Sequence, residues 1–375
     1  MTPLNILHVL RAPVGGLIRH VIDLTRGQIA RGHRVGIIAD SGTGGARAEE
    51  NLASLAPQLA LGISRIPMPR QLGPADLPAF WHVTQRVKQT NANILHGHSA
   101  KGGAYSRLAL APKNVVRVYT PHGGSLHFKR NTIVGLMYHS LEKLLMPQGN
   151  LYLFESAFAR DRFKAIIGTP RGLVRVVCNG VTNEEFEPIT RAPDASDVAY
   201  VGEFRHIKGA DLVIDALKLL ENQGRRISLT LAGDGEETKA LHAQVARHGL
   251  AERTRFAGFQ PARVGFSLGR VLIVPSRADS LPYVVIEAAA AGIPMIATRV
   301  GGIPEIFGSE AGRLVPPENP AAIAAAIASA LDEPGLLARS AAVMQSHVRE
   351  HFSQDAMVDG VLAAYREALD GARST

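Results

Sequence analysis

The sequence holds one cysteine, Cys178, in 375 residues. No internal disulfide can form, and no Cys/His spacing of a metal site is present, which fits a reducing, cytoplasmic compartment. Aromatic residues are scarce, at 5% with a single tryptophan. No aromatic-plus-basic array suited to base stacking appears, so nucleic acid is not an expected partner. No uncharged apolar run reaches the roughly 18 residues that span a bilayer. The longest candidate, residues 321–331, is short and Ala-rich and reads as a buried helix. The opening residues MTPLNILHVL lack a basic leader and a cleavage site, and read as a first strand rather than a signal peptide. There is no D-x-D pair for a divalent metal, no H-E-x-x-H zinc motif and no G-x-S-x-G nucleophile elbow. The Gly-rich residues 41–45 lack the lysine of a Walker loop. P-loop, zinc-peptidase and serine-hydrolase chemistry are thereby excluded.

What is present is ample core material. Hydrophobic residues make up 46% and charged residues 20%, and the length suits two domains. Short apolar runs predict strands at residues 5–10, 34–39, 93–98, 116–120, 151–155 and 174–178. Amphipathic stretches at 18–30 and 80–89 predict helices between them. The second half repeats the pattern, with strands predicted at 197–201, 228–232, 255–257, 271–275, 295–298 and 313–315, and helices at 210–221, 236–248, 283–291 and 321–331. Alternating strands and helices imply βαβ units, and so an α/β fold of two Rossmann-like domains with parallel sheets. The polar, Pro-containing residues 187–196 (EPITRAPDAS) read as the linker. The expected division is an N-terminal domain over 1–187, a C-terminal domain over 188–353, and a final helix over 354–375 crossing back to the first domain.

The formal charge of +8 is unevenly placed. Residues 1–190 hold 22 Lys and Arg against 11 Asp and Glu, a net +11, and residues 191–375 hold 19 against 22, a net −3. The first half is therefore expected, on charge alone, to face something anionic, such as a membrane surface, a lipid-linked phosphate or nucleic acid, unless the excess serves solubility alone.

In open α/β sheets ligands bind beyond the C-terminal strand ends, and the informative residues follow predicted strands. Pro13-Val14-Gly15-Gly16 lies between the first strand and a helix, where glycines let backbone approach a phosphate at a helix N-terminus. A plain tight turn explains the pair equally well. VGEFRHIKG (201–209) ends a strand at Gly202 and then offers Arg205 and Lys208, a fork and a mobile point charge suited to a diphosphate. AGDG (232–235) places Gly233 and Gly235 around Asp234, where a ligand ring could lie on the backbone, or where a simple turn forms. Asp279 and Glu287 stand eight residues apart, one in a loop and one just over a turn into a helix. They can clamp two diols of one ligand, while the backbone N–H groups of Leu281, Tyr283 and Val284, with Pro282 between them, border the helix start, where phosphate is held. Gly301-Gly302 makes a further close-approach turn. His122, flanked by Pro121 and Gly123, leaves a strand end facing a prospective cleft. His96 and His98 also end a strand and read as structural.

Together these segments resemble family 4 retaining glycosyltransferases, in the same order along almost the whole chain. The D-x7-E block with its GIPMIATRVGGIPEI tail is the most specific part. The likeness is greatest to bacterial enzymes of exopolysaccharide, capsule and lipopolysaccharide synthesis. The resemblance implies the GT-B architecture, two Rossmann-like domains facing across a cleft. It implies a nucleotide-sugar donor, UDP-sugar by default, no cofactor or metal, and a glycan or polyprenyl-diphosphate-linked acceptor on the N-terminal domain. By the same resemblance Arg205 and Lys208 bind the leaving diphosphate, Glu287 the ribose hydroxyls and Asp279 the sugar hydroxyls. His122 lies near the sugar's reacting end, and Gly16 faces the diphosphate. Two departures stand out: Glu203 occupies the position where the commoner family form has arginine, and Asp279 replaces a glutamate. The resemblance also implies front-face attack with retention, the leaving phosphate taking the acceptor's proton. Residues 127–146, mixing Lys129, Arg130 and Lys143 with Ile133, Leu136, Met137, Leu141 and Leu144, suit docking at the anionic inner membrane leaflet. An ordinary amphipathic helix on the sheet is the alternative. Two other classes stay open from sequence: a nucleotide-sugar epimerase or hydrolase of the same fold, and a non-catalytic basic binding module.

Overall fold

The computed structural model describes residues 2–71, 73–124 and 132–373. The chain divides into two units, Met1–Asn179 with Gln354–Thr375, and Gly180–Ser353.

The first unit carries seven strands: β1 (Asn5–Leu10), β2 (Arg34–Asp40), β3 (Ile63–Ile66), β4 (Ile94–His98), β5 (Val116–Thr120), β6 (Leu151–Phe154) and β7 (Leu173–Val176). All pair in parallel, in the order β3-β2-β1-β4-β5-β6-β7. Near-continuous apolar runs fit strands covered on both faces. Ile6, Leu10, Ile94, Val116 and Val118 join one core, and Leu7, Val9 and Leu95 another. The connecting helices are α1 (Gly15–Ala30), α2 (Gly45–Leu55), α3 (Leu77–Gln89), α4 (Ser99–Leu108), α5 (Ile133–Leu145) and α6 (Ala157–Ile166). The Thr132 and Ser156 hydroxyls cap α5 and α6 by accepting from the N–H groups of Gly135 and Ala159.

The C-terminal helix, Gln354–Arg373, belongs to this first unit. Its Met357, Val358, Val361, Leu362 and Tyr365 share the core that Ile18, Val21 and Ile22 of α1 enter. Gln354 Nε2 donates to the Asp23 carbonyl at 2.8 Å, and Arg31 pairs with Asp355 at 2.9 Å and with Asp359. At roughly 1.5–3 kcal/mol per buried aliphatic side chain, this helix is integral to the first core.

The second unit has five parallel strands: β8 (Ser196–Val201), β9 (Leu229–Ala232), β10 (Thr254–Gly258), β11 (Gly269–Val274) and β12 (Met295–Ala297), ordered β10-β9-β8-β11-β12. Its helices are α7 (Ala210–Asn222), α8 (Thr238–Arg247), α9 (Ala262–Ser267), α10 (Tyr283–Ala290), α11 (Ile303–Phe307), α12 (Pro320–Asp332) and α13 (Pro334–His351), so the C-terminal helix is α14. The Ala-rich run lies in α12, whose Ile323, Ala324 and Ile327 are buried in this unit's core. Among the described residues no single helix is long and apolar enough to cross a membrane.

Strand order reverses between β1 and β4 in the first sheet and between β8 and β11 in the second. Loops leaving adjacent strands there diverge to opposite faces and open a crevice. Several features differ from the sequence expectation. Residues 313–315 form no strand: Arg313 ends a 3-10 turn and Val315 only bridges Thr298. The edge strand β3 and the long α13 were not anticipated. The units divide at Asn179/Gly180, and residues 187–196 lie wholly in the second unit rather than forming a free linker. The Ala192 and Ser196 N–H groups donate to the Ser267 and Leu268 carbonyls, and Arg263 holds the carbonyls of Glu185 and Glu187.

Candidate functional site

In the second unit β8 and β11 are neighbours, with Val198 opposite Val271 and Ala199 opposite Leu272. The loops that follow them therefore emerge side by side. This brings together two residues 71 positions apart: Lys208 Nζ donates to Asp279 Oδ2 at 2.7 Å. The Ser276 hydroxyl donates to the same oxygen at 3.2 Å. Asp279 Oδ1 keeps no partner among the described residues. The pair is only partly shielded, with 26% of the lysine and 13% of the aspartate side chain exposed. An ammonium has three donors, so Lys208 can hold Asp279 and still reach an anion. Arg205 stands apart from this pair. Its guanidinium is nearly half exposed and only 3.5 Å from Glu203 Oε2. The Tyr200 hydroxyl donates to the Glu203 carbonyl at 2.9 Å and fixes the start of this loop. Burial, with the Asp279 carboxylate nearby, pushes its ionisation well above the usual tyrosine range.

One residue that holds the site together was not singled out from sequence. Arg277 forks onto Asp211, at 2.8 and 2.6 Å, and donates to the His206 carbonyl at 2.7 Å. Its backbone N–H also donates to the Ile207 carbonyl at 2.8 Å. Arg277 thus staples the lysine loop to the aspartate loop. Gly301 does similar work from the other side. At φ +57°, a Cβ there would lie 1.7 Å from the Asp279 carbonyl, and the Gly302 N–H donates to the Ser280 carbonyl at 2.6 Å. Only glycine lets this turn press against the aspartate loop.

The AGDG segment takes a different part from the one its composition suggests. A Cβ on Gly233 would meet the Gly202 carbonyl at 1.9 Å, so that glycine lets two of the protein's own loops close-pack rather than leaving room for a ligand ring. The Asp234 carboxylate is spent locally, accepting from the Gly235 N–H at 2.7 Å and the Thr238 hydroxyl at 2.8 Å. Those two bonds hold it below the usual carboxylate range. After β11, Leu281 and Pro282 are buried, Tyr283 and Val284 are half-buried at the start of α10, and Glu287 is buried on that helix.

In the first unit Gly15 and Gly16 are exposed at the start of α1, where no side chain caps the helix. Backbone N–H groups of a first turn have no partner inside their helix. His122, half-buried in a left-handed conformation at φ +49°, follows β5. It does not stand alone. The register sets His8 of β1 opposite His96 of β4, and His98 opposite Thr120 of β5. Residues i and i+2 of a strand share a face, so His96 and His98 stand with His8 on the side covered by α1 and α14. His98 Nδ1 lies 3.0 Å from His122 Nε2, and His98 Nε2 lies 2.9 Å from His8 Nδ1. His96 is satisfied separately, by the Tyr365 hydroxyl at 2.6 Å and Thr120 Oγ1 at 2.7 Å. His20 of α1 sets its ring edge-on to His122 at 4.8 Å. Burial is the chief cause that pushes His8 and His20 down to about 4 and His96, His98 and His122 well below the usual histidine value. At neutral pH all five imidazoles are uncharged. His8 and His20 carried no sequence signal, and His98 is bonded to the candidate residue His122 rather than serving the core alone.

Comparison with known proteins gives a family match to each half of the chain. The family described as Glycosyltransferase Family 4 matches residues 14–185, and Glycosyl transferases group 1 matches residues 181–350. The chain is similar to a glycogen synthase of Mycobacterium tuberculosis, 25% identical over 385 residues that cover 96% of this chain and 93% of that protein. In fold it resembles the crystal structure of a glycosyltransferase from Rickettsia africae, with TM-score 0.81 and 21% identity over 98% of this chain and 99% of that one. It also resembles Anabaena HepE in complex with UDP-glucose, with TM-score 0.76 and 19% identity over 99% and 100% of the two chains. With two family matches that overlap at residues 181–185 and together span 14–350, the chain belongs to the group 1, family 4 glycosyltransferases, hexosyltransferase-type enzymes of the GT-B fold.

Proposed function

We propose that the chain moves a sugar, with retention, from a nucleoside-diphosphate sugar to a glycan or polyprenyl-diphosphate-linked acceptor in cell-surface polysaccharide synthesis. The observation that carries this reading is the Lys208–Asp279 contact at 2.7 Å, made where the second sheet reverses its strand order. Lys208, with Arg205, meets the charge that develops on the leaving diphosphate, so that no divalent metal is needed. Asp279, oriented by Lys208 and Ser276, offers its second oxygen to sugar hydroxyls. Glu287 takes the ribose hydroxyls, and backbone around Leu281, Pro282, Tyr283 and Val284 takes phosphate, as do Gly15 and Gly16 in the first unit. Gly202, Gly233 and Gly235 shape the loops around these groups. The UDP-glucose held by Anabaena HepE supports a UDP-sugar as donor.

In the step itself the bond from the anomeric carbon to the diphosphate oxygen breaks. The acceptor hydroxyl oxygen bonds to the same face of that carbon, and its proton passes to the leaving phosphate oxygen. A thermal-shift screen of UDP, GDP and ADP, followed by product analysis with and without acceptor, tests the reading. Stabilisation by one nucleotide and an acceptor-dependent product of retained configuration are expected. An altered sugar formed without acceptor indicates an epimerase instead. A trapped covalent glycosyl-enzyme removes the front-face step.

A peripheral site on the inner face of the membrane is a second part of the proposal. Helix α5 leaves Ile133 87%, Leu136 57% and Leu144 72% exposed, with Val134 and Met137 beside them. Residues 127–131, with Lys129 and Arg130, lie outside the described residues. Such an apolar stripe in a basic half suits an anionic leaflet. Liposome flotation is expected to need anionic lipid, and equal flotation with neutral vesicles, or none with either, removes the claim.

A further inference from the structure

Three consecutive hydrogen bonds run from the interior of the first unit to His122. Gln28 Oε1 lies 2.9 Å from His8 Nε2, His8 Nδ1 lies 2.9 Å from His98 Nε2, and His98 Nδ1 lies 3.0 Å from His122 Nε2. The chain has a direction, because an amide oxygen only accepts. His8 Nε2 therefore carries its proton. A neutral imidazole has a single N–H, so His8 Nδ1 accepts and His98 Nε2 donates to it. By the same step His98 Nδ1 accepts, and His122 Nε2 donates. The remaining nitrogen, His122 Nδ1, is left with a lone pair and no partner among the described residues. Neutrality is what makes this logic hold, since a protonated ring donates from both nitrogens. Burial holds all three rings in the neutral form.

The inner end is fixed as well. Gln28 is fully buried, and its amide nitrogen faces the Tyr365 hydroxyl without closing a full hydrogen bond. With Gln28 Nε2 on that side, the tyrosine proton goes to His96 Nδ1 and the His96 Nε2–H goes to Thr120. The two branches are then satisfied together, and neither competes for the other's donors. Tyr365 comes from α14, so the last helix of the chain sets the end of the network.

We propose that Gln28, His8 and His98 are positioning residues that fix His122 as the Nε2–H tautomer and present its Nδ1 as a hydrogen-bond acceptor to a hydroxyl of the bound sugar. This rests on the reading of His122 as a residue of the donor sugar site. The chemistry recognised is a donor O–H, so a sugar carrying that hydroxyl is preferred over its deoxy analogue. A site built to pair such a hydroxyl discriminates strongly against the analogue that lacks it.

The test is nitrogen-15 NMR of the full chain labelled at histidine, near neutral pH. A protonated Nε2 and an unprotonated Nδ1 are expected for His122. Gln28→Met, which keeps length but removes the acceptor, is expected to mix the tautomers and lower kcat about tenfold while leaving the Kd for UDP unchanged. A His122 Nδ1–H signal in the unaltered protein overturns the proposal, as does an unchanged kcat in Gln28→Met once its tautomers are seen to mix. So does a stoichiometric metal ion found in the purified protein, since His20, His98 and His122 bring ring nitrogens within 4.8 Å of one another. Should Gln28→Met fail to fold, the tautomer of the unaltered protein still decides. UDP affinity reads the donor site separately: absence of UDP binding in the unaltered protein sinks that reading, whatever the tautomer.

Discussion

The two units handle polarity in opposite ways. In the second, Lys208 and Asp279 are charged, paired at 2.7 Å and still partly open to solvent. In the first, five imidazoles are uncharged, four of them buried and His122 half-buried, and His8, His98 and His122 are hydrogen-bonded in a row. The charged pair needs only two adjacent loops, one staple from Arg277 and one glycine turn. The neutral network needs three strands in register, α1 and a helix that arrives from the far end of the sequence. In the proposed reading, one arrangement offers charge to an anionic leaving group. In the same reading the other offers a fixed lone pair, which a mobile charged residue cannot supply.

Removing charge from the second unit should have the largest effect. Lys208→Ala is expected to lower kcat/KM about 10²–10³-fold, the size seen when a positioned electrostatic group is lost, with the fold intact by circular dichroism. A loss under tenfold would mean that the pair is structural. Acid should act next, and on the first unit. His8 and His20 are depressed from the ordinary value of 6.5 to about 4 in the folded chain. Their contribution is full above about pH 6.5 and is lost as pH falls through 4, because the unfolded chain then binds protons that the folded one refuses. Each is worth up to about 3 kcal/mol, and the two are not additive because they are coupled. Thermal melts at pH 7 and pH 5 should show the loss, and His20→Phe, which cannot be protonated, should shrink it.

Gly301→Ala sharpens the comparison by moving Asp279 without removing it. A side chain at φ +57° and 1.7 Å from the Asp279 carbonyl is expected to cost about 1–3 kcal/mol in stability and to weaken UDP-sugar binding about tenfold. Unchanged affinity would show that the turn is not what places the aspartate. The smallest effect is expected from Arg277→Lys, which keeps the charge but loses the fork onto Asp211. About 1–2 kcal/mol of stability is at stake, read by urea unfolding, with a modest rise in KM for the donor.

Sequence pointed to Lys208 and Asp279, which the second unit brings into contact, and hardly at all to the first unit's histidine network, for a physical reason. Arg205 and Lys208 are cations between two glycines after β8, while Asp279 lies in the loop after β11 and Glu287 in the helix that follows, local signals that survive without knowing the fold. Arg277 carried no sequence signal, because its partner Asp211 lies 66 residues earlier. His96 and His98 read as core residues because their bonds to Tyr365 and His8 span 269 and 90 positions. The strands were legible from apolar runs, except β3, whose sequence ISRI sits half-buried at the sheet edge with too little burial to make a run. Residues 313–315 showed the converse error: an apolar Leu314-Val315 pair is buried, yet only a single bridge to Thr298 forms. Residues 187–196 have linker composition, but backbone hydrogen bonds that composition cannot reveal pin them to the second unit.

The most direct test is calorimetric titration of UDP into the unaltered protein and into the Arg205→Ala/Lys208→Ala double variant. Saturable binding in the first and at least a tenfold weaker Kd in the second are expected. Equal affinities, or no binding to either, would contradict the assignment of these two cations to a nucleoside diphosphate.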